Sequence, residues 1–84
     1  SMEILCKAVL TANVSSREEY DEFVRTIEDR LGNVDVVSVE VGEIARVKLD
    51  VDDSDDSDDE QRLAEAIADV ARIEQVTQVE TLAE

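Results

Sequence analysis

Residue types that usually carry out catalysis are scarce in this sequence. Cys6 is the single thiol, and there is no histidine to act as a general base near neutral pH. A nucleophilic cysteine needs a neighbouring cation or histidine to stabilise its thiolate. Lys7 is adjacent in sequence, but neighbouring residues of a strand point to opposite faces. We therefore predict that Cys6 is a small buried hydrophobic residue and not a nucleophile.

Carboxylates are the other groups that could do chemistry, since the chain has 23 Asp and Glu residues. Two carboxylates can act together as acid and base, as in glycosidases, where the environment shifts one pKa. The acids of this sequence occupy positions predicted to be exposed, where no such shift is expected. With the missing histidine, this predicts a protein that is not an enzyme.

The densest acidic segment covers residues 50–60, DVDDSDDSDDE, and invites comparison with a calcium-binding loop. An EF-hand loop needs acids at positions one, three and five, glycine at six and glutamate at twelve. Loops starting at Asp52 or Asp53 lack both the glycine and the final glutamate. We predict a solvated loop that binds cations diffusely, with no specific metal site. A glycine-rich phosphate loop is also missing, so no cofactor is expected.

Four segments have the composition and alternation of β-strands. They cover residues 3–14, 34–41, 44–51 and about 74–82. The first is apolar on both sides, which is typical of a strand in the middle of a sheet. Gly42 and Glu43 alone separate the second from the third, which predicts a two-residue hairpin of the primed type. In the second segment, alternation places Val37, Val39 and Val41 on one face.

Two further segments have helical spacing. A serine–glutamate capping box within residues 15–19 begins the first, and Gly32 is predicted to end it. Its apolar stripe consists of Tyr20, Phe23, Val24, Ile27 and Leu31. A second capping box, Ser57 with Glu60, begins the other helix. The apolar stripe of that helix consists of Leu63, Ile67, Val70 and Ala71.

The order of these elements is β-α-β-β-α-β with a short central hairpin, which is the ferredoxin-like arrangement. In this α+β sandwich, a four-stranded antiparallel sheet carries both helices on one face, and the right-handed crossover rule leaves few other topologies. A different α+β order is the alternative. The 84 residues suffice for a single domain, residues 1–84. Ser1 is interpreted as the remnant of a cleaved tag.

The ferredoxin-like order makes the first and third strands central neighbours and leaves one face of the sheet open. That face would gather three of the eight basic residues with apolar residues around them. Its predicted members are Leu5, Lys7, Val9, Ile44, Arg46 and Lys48. We predict a contact surface for self-association, a protein partner or an anionic ligand. The alternative is that cross-strand acids such as Glu40 and Glu80 neutralise the bases.

The charge balance is strongly acidic, with a formal net charge of −15 and only two lysines, although 43% of the residues are hydrophobic. This composition predicts a halophilic, archaeal source, because salt screens the repulsion among carboxylates. The alternative is that the acidic surface mimics nucleic acid or docks a basic partner. Direct nucleic-acid binding is not expected, because it needs cationic contacts to phosphates and the open face has no aromatic residue for stacking.

No feature of the sequence directs the chain to a membrane. Glu3 and Lys7 interrupt the first apolar run, so no signal peptide is predicted. No apolar stretch approaches the roughly 20 residues that span a bilayer. A single cysteine excludes an internal disulfide framework, and we expect a cytoplasmic protein.

Two segments in the second half carry a resemblance to a known family. GEIARVKLDV, from Gly42, and LAEAIADVARIEQVTQVETL, from Leu63, resemble the second half of archaeal elongation factor 1-beta. The shared features are a strand, an acidic loop and a helix that ends before a V-x-x-V-E strand, here Val76–Glu80. The resemblance implies a ferredoxin-like fold and nucleotide exchange on elongation factor 1-alpha. No functional residue of that family is assigned to a position here.

Two weaker similarities involve the same fold. The V-E-V-G of Val39–Gly42 and the chain length resemble the PurS subunit of purine biosynthesis, and ACT-type regulatory domains share the order of elements. Our prediction is a non-catalytic interaction module that acts through its open face or by homo-oligomerisation. The alternatives are a translation accessory factor acting on a GTPase, an ACT-like sensor of a small molecule, and an acidic nucleic-acid mimic.

Overall fold

A computed structural model describes residues 2–32, 34–51 and 59–82. The elements are β1 (Met2–Leu10), α1 (Arg17–Arg30), β2 (Asp35–Glu40), β3 (Ile44–Val51), α2 (Asp59–Ala71) and β4 (Val76–Leu82). The strands form one antiparallel sheet in the order β2-β3-β1-β4. This confirms the predicted α+β class, and the strand order is consistent with a ferredoxin-like fold. Ser1, most of the predicted acidic loop and Ser57 of the second capping box lie outside the described residues.

The first strand is shorter than predicted. β1 ends at Leu10, and Ala12 and Asn13 form a turn in place of the continued strand. Val14 donates its N–H to the carbonyl oxygen of Thr11 at 3.0 Å, which closes that turn. The prediction extended the strand to Val14 because Val14 is apolar. Its side chain is indeed buried in the core, but the chain reaches it through a turn and not as a continued strand.

α1 begins with the predicted capping box, at Ser16. The Glu19 N–H donates to Ser16 Oγ at 3.2 Å, and the Ser16 N–H donates to Glu19 Oε1 at 3.2 Å. The Ser16 hydroxyl also donates to Glu19 Oε1 at 2.9 Å. This bond, together with the bond from the Ser15 N–H, lowers the pKa of the Glu19 carboxyl. A local sequence signal thus determines where the first helix starts.

Neither glycine of the chain adopts a positive φ angle in the described residues. α1 ends at Arg30, and its C-cap Leu31 donates its N–H to the carbonyl oxygen of Ile27 at 3.1 Å. Gly32 therefore does not end the helix in a left-handed conformation. The link between β2 and β3 spans three residues, 41–43, and is not a primed hairpin, because that turn requires a positive φ angle.

β2 contains a bulge that changes which valines face the core. Val36 and Val39 both pair with buried residues of β3 although they are three positions apart, so the register shifts at Val37. Val36, Val39 and Val41 pack against the core, whereas Val37 is 50% exposed. The prediction that Val37 shares a face with Val39 and Val41 was wrong, because a bulge breaks the two-residue period of a strand.

The core combines residues from one side of the sheet with residues from both helices. Its strand members are Cys6, Ala8, Leu10, Ala45, Val47, Leu49, Val51 and Val76. Its helical members are Phe23 and Ile27 of α1 and Leu63, Ala66 and Val70 of α2. Leu31 and Ile73 are buried just beyond the helix ends. No polar or charged residue is fully buried within the described ranges.

α2 faces the core at a different rotation from the one predicted. Leu63 and Val70 are buried as expected, but the third buried position is Ala66. Ile67 is only half-buried and Ala71 is exposed, so the predicted stripe was partly wrong. Hydrophobicity alone did not distinguish the two stripes, because alanines and Ile67 continue the apolar surface around the helix.

Candidate interaction surface on the sheet

The side of the sheet opposite the core carries all six residues singled out in the sequence. We name it the Lys7 face, and it consists of Leu5, Lys7, Val9, Ile44, Arg46 and Lys48. Lys7 pairs with Arg46 across β1 and β3, and the other four residues form the pairs on either side of it. The residues that alternate with them are buried in the core. The structure therefore brings the six together, as predicted.

The Lys7 face has a basic centre with apolar margins. Arg46 is exposed, Ile44 is 38% exposed, and the other four residues are half-buried. The Val9–Ile44 pair borders the basic centre on one side, and Leu5 borders it on the other. Leu82 of β4 lies opposite Leu5 and extends that apolar margin.

Two of the three bases are paired with acids. Lys7 Nζ lies 2.7 Å from Glu80 Oε1, and Lys48 Nζ lies 3.8 Å from Glu3 Oε1. Glu80 is the residue directly opposite Lys7 on β4, which confirms the predicted cross-strand pair. All four side chains are partly exposed, so each pair contributes about 1 kcal/mol at most to stability.

Arg46 differs from the two lysines. Glu40 lies opposite it on β2, yet Arg46 forms no ion pair with any residue that the structure describes. The expectation that Glu40 neutralises a base is therefore wrong for this position. A guanidinium presents five N–H donors in a planar fork that matches a carboxylate. The Arg46 guanidinium can thus donate hydrogen bonds to a carboxylate of another molecule.

One end of the Lys7 face is acidic. Asp50 of β3 lies opposite Glu3 of β1 and Asp35 of β2, so three carboxylates cross the sheet in one row. Asp50 Oδ1 is buried and has no hydrogen-bond partner among the described residues. No group of three acidic or cysteine side chains in the described ranges could hold a metal ion. Sequence alternation in β3 was enough to place Asp50 on this face. Its alignment with Glu3 and Asp35 could not be predicted, because it depends on the register between strands.

Cys6 lies on the core side of the sheet with no exposed surface. Burial raises the pKa of its thiol to about 11. Because the thiolate is the reactive form, this environment disfavours nucleophilic chemistry at neutral pH. The prediction that Cys6 is a buried hydrophobic residue is confirmed.

We expect Cys6 in the folded protein to react with iodoacetamide roughly 100-fold more slowly than in the unfolded chain at pH 8. The raised pKa leaves little thiolate, and burial blocks the reagent. Mass spectrometry of samples quenched over time measures the rate, and the same chain in guanidinium chloride is the control. Rapid labelling of the folded protein, with its melting temperature unchanged, would contradict the burial of this thiol.

The chain matches none of the known protein-family models and none of the curated proteins with which it was compared. The resemblance to archaeal elongation factor 1-beta therefore rests on the quoted segments alone. Fold and surface define a class: a small α+β domain whose antiparallel sheet carries a mixed basic and apolar surface opposite its core. None of the described helices is long and apolar enough to cross a membrane.

Proposed function

We propose that this chain is a non-catalytic binding module that contacts a protein partner through the Lys7 face, in the cytoplasm of a salt-loving organism. We infer that both helices cover the side of the sheet that holds Cys6, which leaves the Lys7 face to the partner. The shared core supports this inference, since α1, α2 and the Cys6 side of β1 and β3 all contribute to it. Contacts of α1 with β2, and of α2 with β1, β3 and β4, also support it.

The observation that carries the proposal is that Arg46 has no ion pair among the described residues. In a chain with 23 acids, an exposed base at the centre of the sheet would be expected to find an internal carboxylate. Arg46 has none among the described residues, although Glu40 is its neighbour across the strands. Arginine beside apolar side chains is typical of the centres of protein interfaces.

The surroundings of Arg46 indicate how a partner would bind. A partner carboxylate would pair with the guanidinium, and an apolar side chain would cover Val9 and Ile44. The row of Glu3, Asp50 and Asp35 would repel a partner that presents acids at that end, which favours one orientation. High salt screens long-range repulsion but leaves contact hydrogen bonds and apolar burial largely intact.

The test compares wild type with Arg46→Glu and a matched control, Arg25→Glu. Arg25 is exposed on α1, and its replacement changes the charge by the same two units. Each immobilised protein is incubated with extract of the source organism in about 2 M KCl, and the captured proteins are quantified by mass spectrometry. We expect a protein that wild type and Arg25→Glu retain equally and that Arg46→Glu retains at least about 10-fold less, or about 1.4 kcal/mol.

Capture of the same proteins by all three versions would rule out the Lys7 face as the contact surface. Amide chemical shifts provide a second measurement with the purified captured protein. The proposal requires changes in β1 and β3 around Arg46, and changes confined to α1 would contradict it.

A further inference from the structure

The sheet has two edge strands, β2 and β4, and they differ in their suitability for pairing with another strand. An edge strand leaves backbone N–H and C=O groups free on its outer side. β2 is interrupted by the bulge at Val37 and has acids at both ends, Asp35 and Glu40. β4 pairs regularly with β1 from Gln78 to Leu82 and consists largely of Val and Thr residues. β4 is therefore the edge at which a further strand fits.

β4 also carries no unpaired charge. Its one charged residue, Glu80, is neutralised by Lys7 at 2.7 Å. By contrast, α1 exposes four acids that form no ion pair among the described residues: Glu18, Glu22, Glu28 and Asp29. In a chain of net charge −15, two copies repel each other least where neither presents an unbalanced carboxylate.

The helix beside β4 adds a largely apolar surface to this edge, with the exposed Glu60 one turn before Ala64 on the same side. The observed rotation of α2 leaves an apolar stripe outside the core, which we name the α2 flank. It consists of Ala64, Ile67, Ala68 and Ala71. Spacings of three and four residues place these side chains on one side of the helix. Ala64 and Ala71 are exposed, whereas Ile67 and Ala68 are half-buried.

The α2 flank points away from α1. Glu65 and Asp69 line a small cavity of about 60 Å³ together with Arg30 and Leu31 at the end of α1. With 3.6 residues per turn, the centre of the α2 flank lies about 140° around the helix from that cavity. α2 packs against β4. The α2 flank and the edge of β4 therefore belong to the same side of the molecule.

We propose that a second copy of this chain pairs with the edge of β4, joining the two four-stranded sheets into one of eight strands. An antiparallel strand edge is self-complementary, because a two-fold axis can relate the two identical strands. An axis at Val79 sets Glu80 of one copy opposite Gln78 of the other, so the two carboxylates do not face each other. The alanines of the α2 flanks let the two helices approach closely above the joined sheet.

This proposal rests on the β4 edge and the α2 flank, and it holds whether or not the Lys7 face binds a partner. In the pair, both Lys7 faces lie on the same side of the joined sheet. A protein partner with two sites could therefore bind both copies together, with a gain from effective concentration.

The test measures the mass of the protein by sedimentation equilibrium at about 100 μM in 2 M KCl. We expect wild type at twice the 9.3 kDa of one chain. Ala64→Glu and Ala71→Glu should each weaken association at least about 10-fold, because each places two carboxylates at the joint. Ser38→Glu is the matched control, since Ser38 is exposed on β2 at the opposite edge of the sheet, and this variant should remain a dimer. Circular dichroism checks that each variant is folded.

Two results would overturn the proposal. One is a wild-type mass of a single chain at concentrations up to about 1 mM in both 0.1 M and 2 M KCl. The other is a dimer that survives both flank substitutions but dissociates on Ile44→Glu, which would move the interface to the Lys7 face. The capture experiment with Arg46→Glu is independent of the first result, whereas the second would give the Lys7 face to a second copy of the chain.

Discussion

Raising the KCl concentration from about 0.1 M to about 2 M is expected to raise the melting temperature by roughly 10–20 °C. The chain packs a net charge of −15 into a body with a Cα radius of gyration of 12.5 Å. The Debye length is about 10 Å at 0.1 M and about 3 Å at 1 M, so added salt removes most of the repulsion. A gain of roughly 2–3 kcal/mol, at about 4–8 °C per kcal/mol, gives this shift. Circular dichroism melts across a KCl series measure it.

A variant with fewer charges separates screening from general effects of salt on proteins. Glu18, Glu22 and Glu28 are exposed on α1, and their replacement by Gln changes the net charge from −15 to −12. We expect this triple variant to melt higher than wild type at 0.1 M KCl and to gain less from added salt. A melting temperature of wild type that does not change with salt would contradict the halophilic interpretation.

Substitutions at two adjacent residues of β3 are expected to change stability very differently, because one residue faces the core and the other lies on the Lys7 face. Val47→Glu is expected to unfold the chain at 25 °C, whereas Arg46→Glu should change its stability by about 0.5 kcal/mol or less. Val47 has no exposed surface and lies in the core, where an unpaired carboxylate costs several kcal/mol. That cost is a large fraction of the roughly 5–10 kcal/mol that stabilises a domain of this size. Arg46 is exposed and has no ion pair to lose among the described residues.

Both variants are compared with wild type in 2 M KCl, so that the added negative charge is screened. Circular dichroism and urea denaturation report the fraction folded and the free energy of unfolding. Equal stability of the two variants would show that Val47 does not lie in the core. The folded state of Arg46→Glu also matters for the capture experiment, because loss of binding then reports on the surface and not on unfolding.

Three parts of the surface have different physical properties. The exposed side of α1 is acidic and suits a solvated surface in high salt. The Lys7 face combines apolar residues with Arg46, which has no ion pair among the described residues, and we assign it to a protein partner. The β4 edge and the α2 flank contain one acid, Glu80, which Lys7 neutralises, and we assign them to a second copy. The Lys7 face and the β4 edge meet at the Lys7–Glu80 pair, so the substitutions used as tests, Arg46→Glu, Ala64→Glu and Ala71→Glu, leave that pair unchanged.

Much of the architecture follows from local signals. Two-residue alternation in β1 and β3 placed Lys7, Arg46 and Lys48 on one side and Cys6 and Val47 on the other, as observed. Alternation holds there because neither strand is interrupted where the two pair. The Ser16–Glu19 capping box determined the start of α1 for a similar reason, since its hydrogen bonds join residues three apart. The alternation within each strand and the helix start depend only on neighbours in sequence, whereas the pairing of Lys7 with Arg46 also needs β1 beside β3.

Other features depended on contacts between distant segments. The bulge at Val37 and the row around Asp50 follow from the register of β2 on β3, which no single strand determines. The exposed Ala71 follows from how α2 rotates against the sheet, and an apolar surface wider than its buried stripe permits several rotations. Whether Arg46 forms an ion pair depends on where the side chain of Glu40 lies, and pairing across the strands does not determine that. Sequence periodicity determined which side of an element is apolar, whereas tertiary packing decided which residues meet across elements, because that choice depends on pairings far apart in the chain.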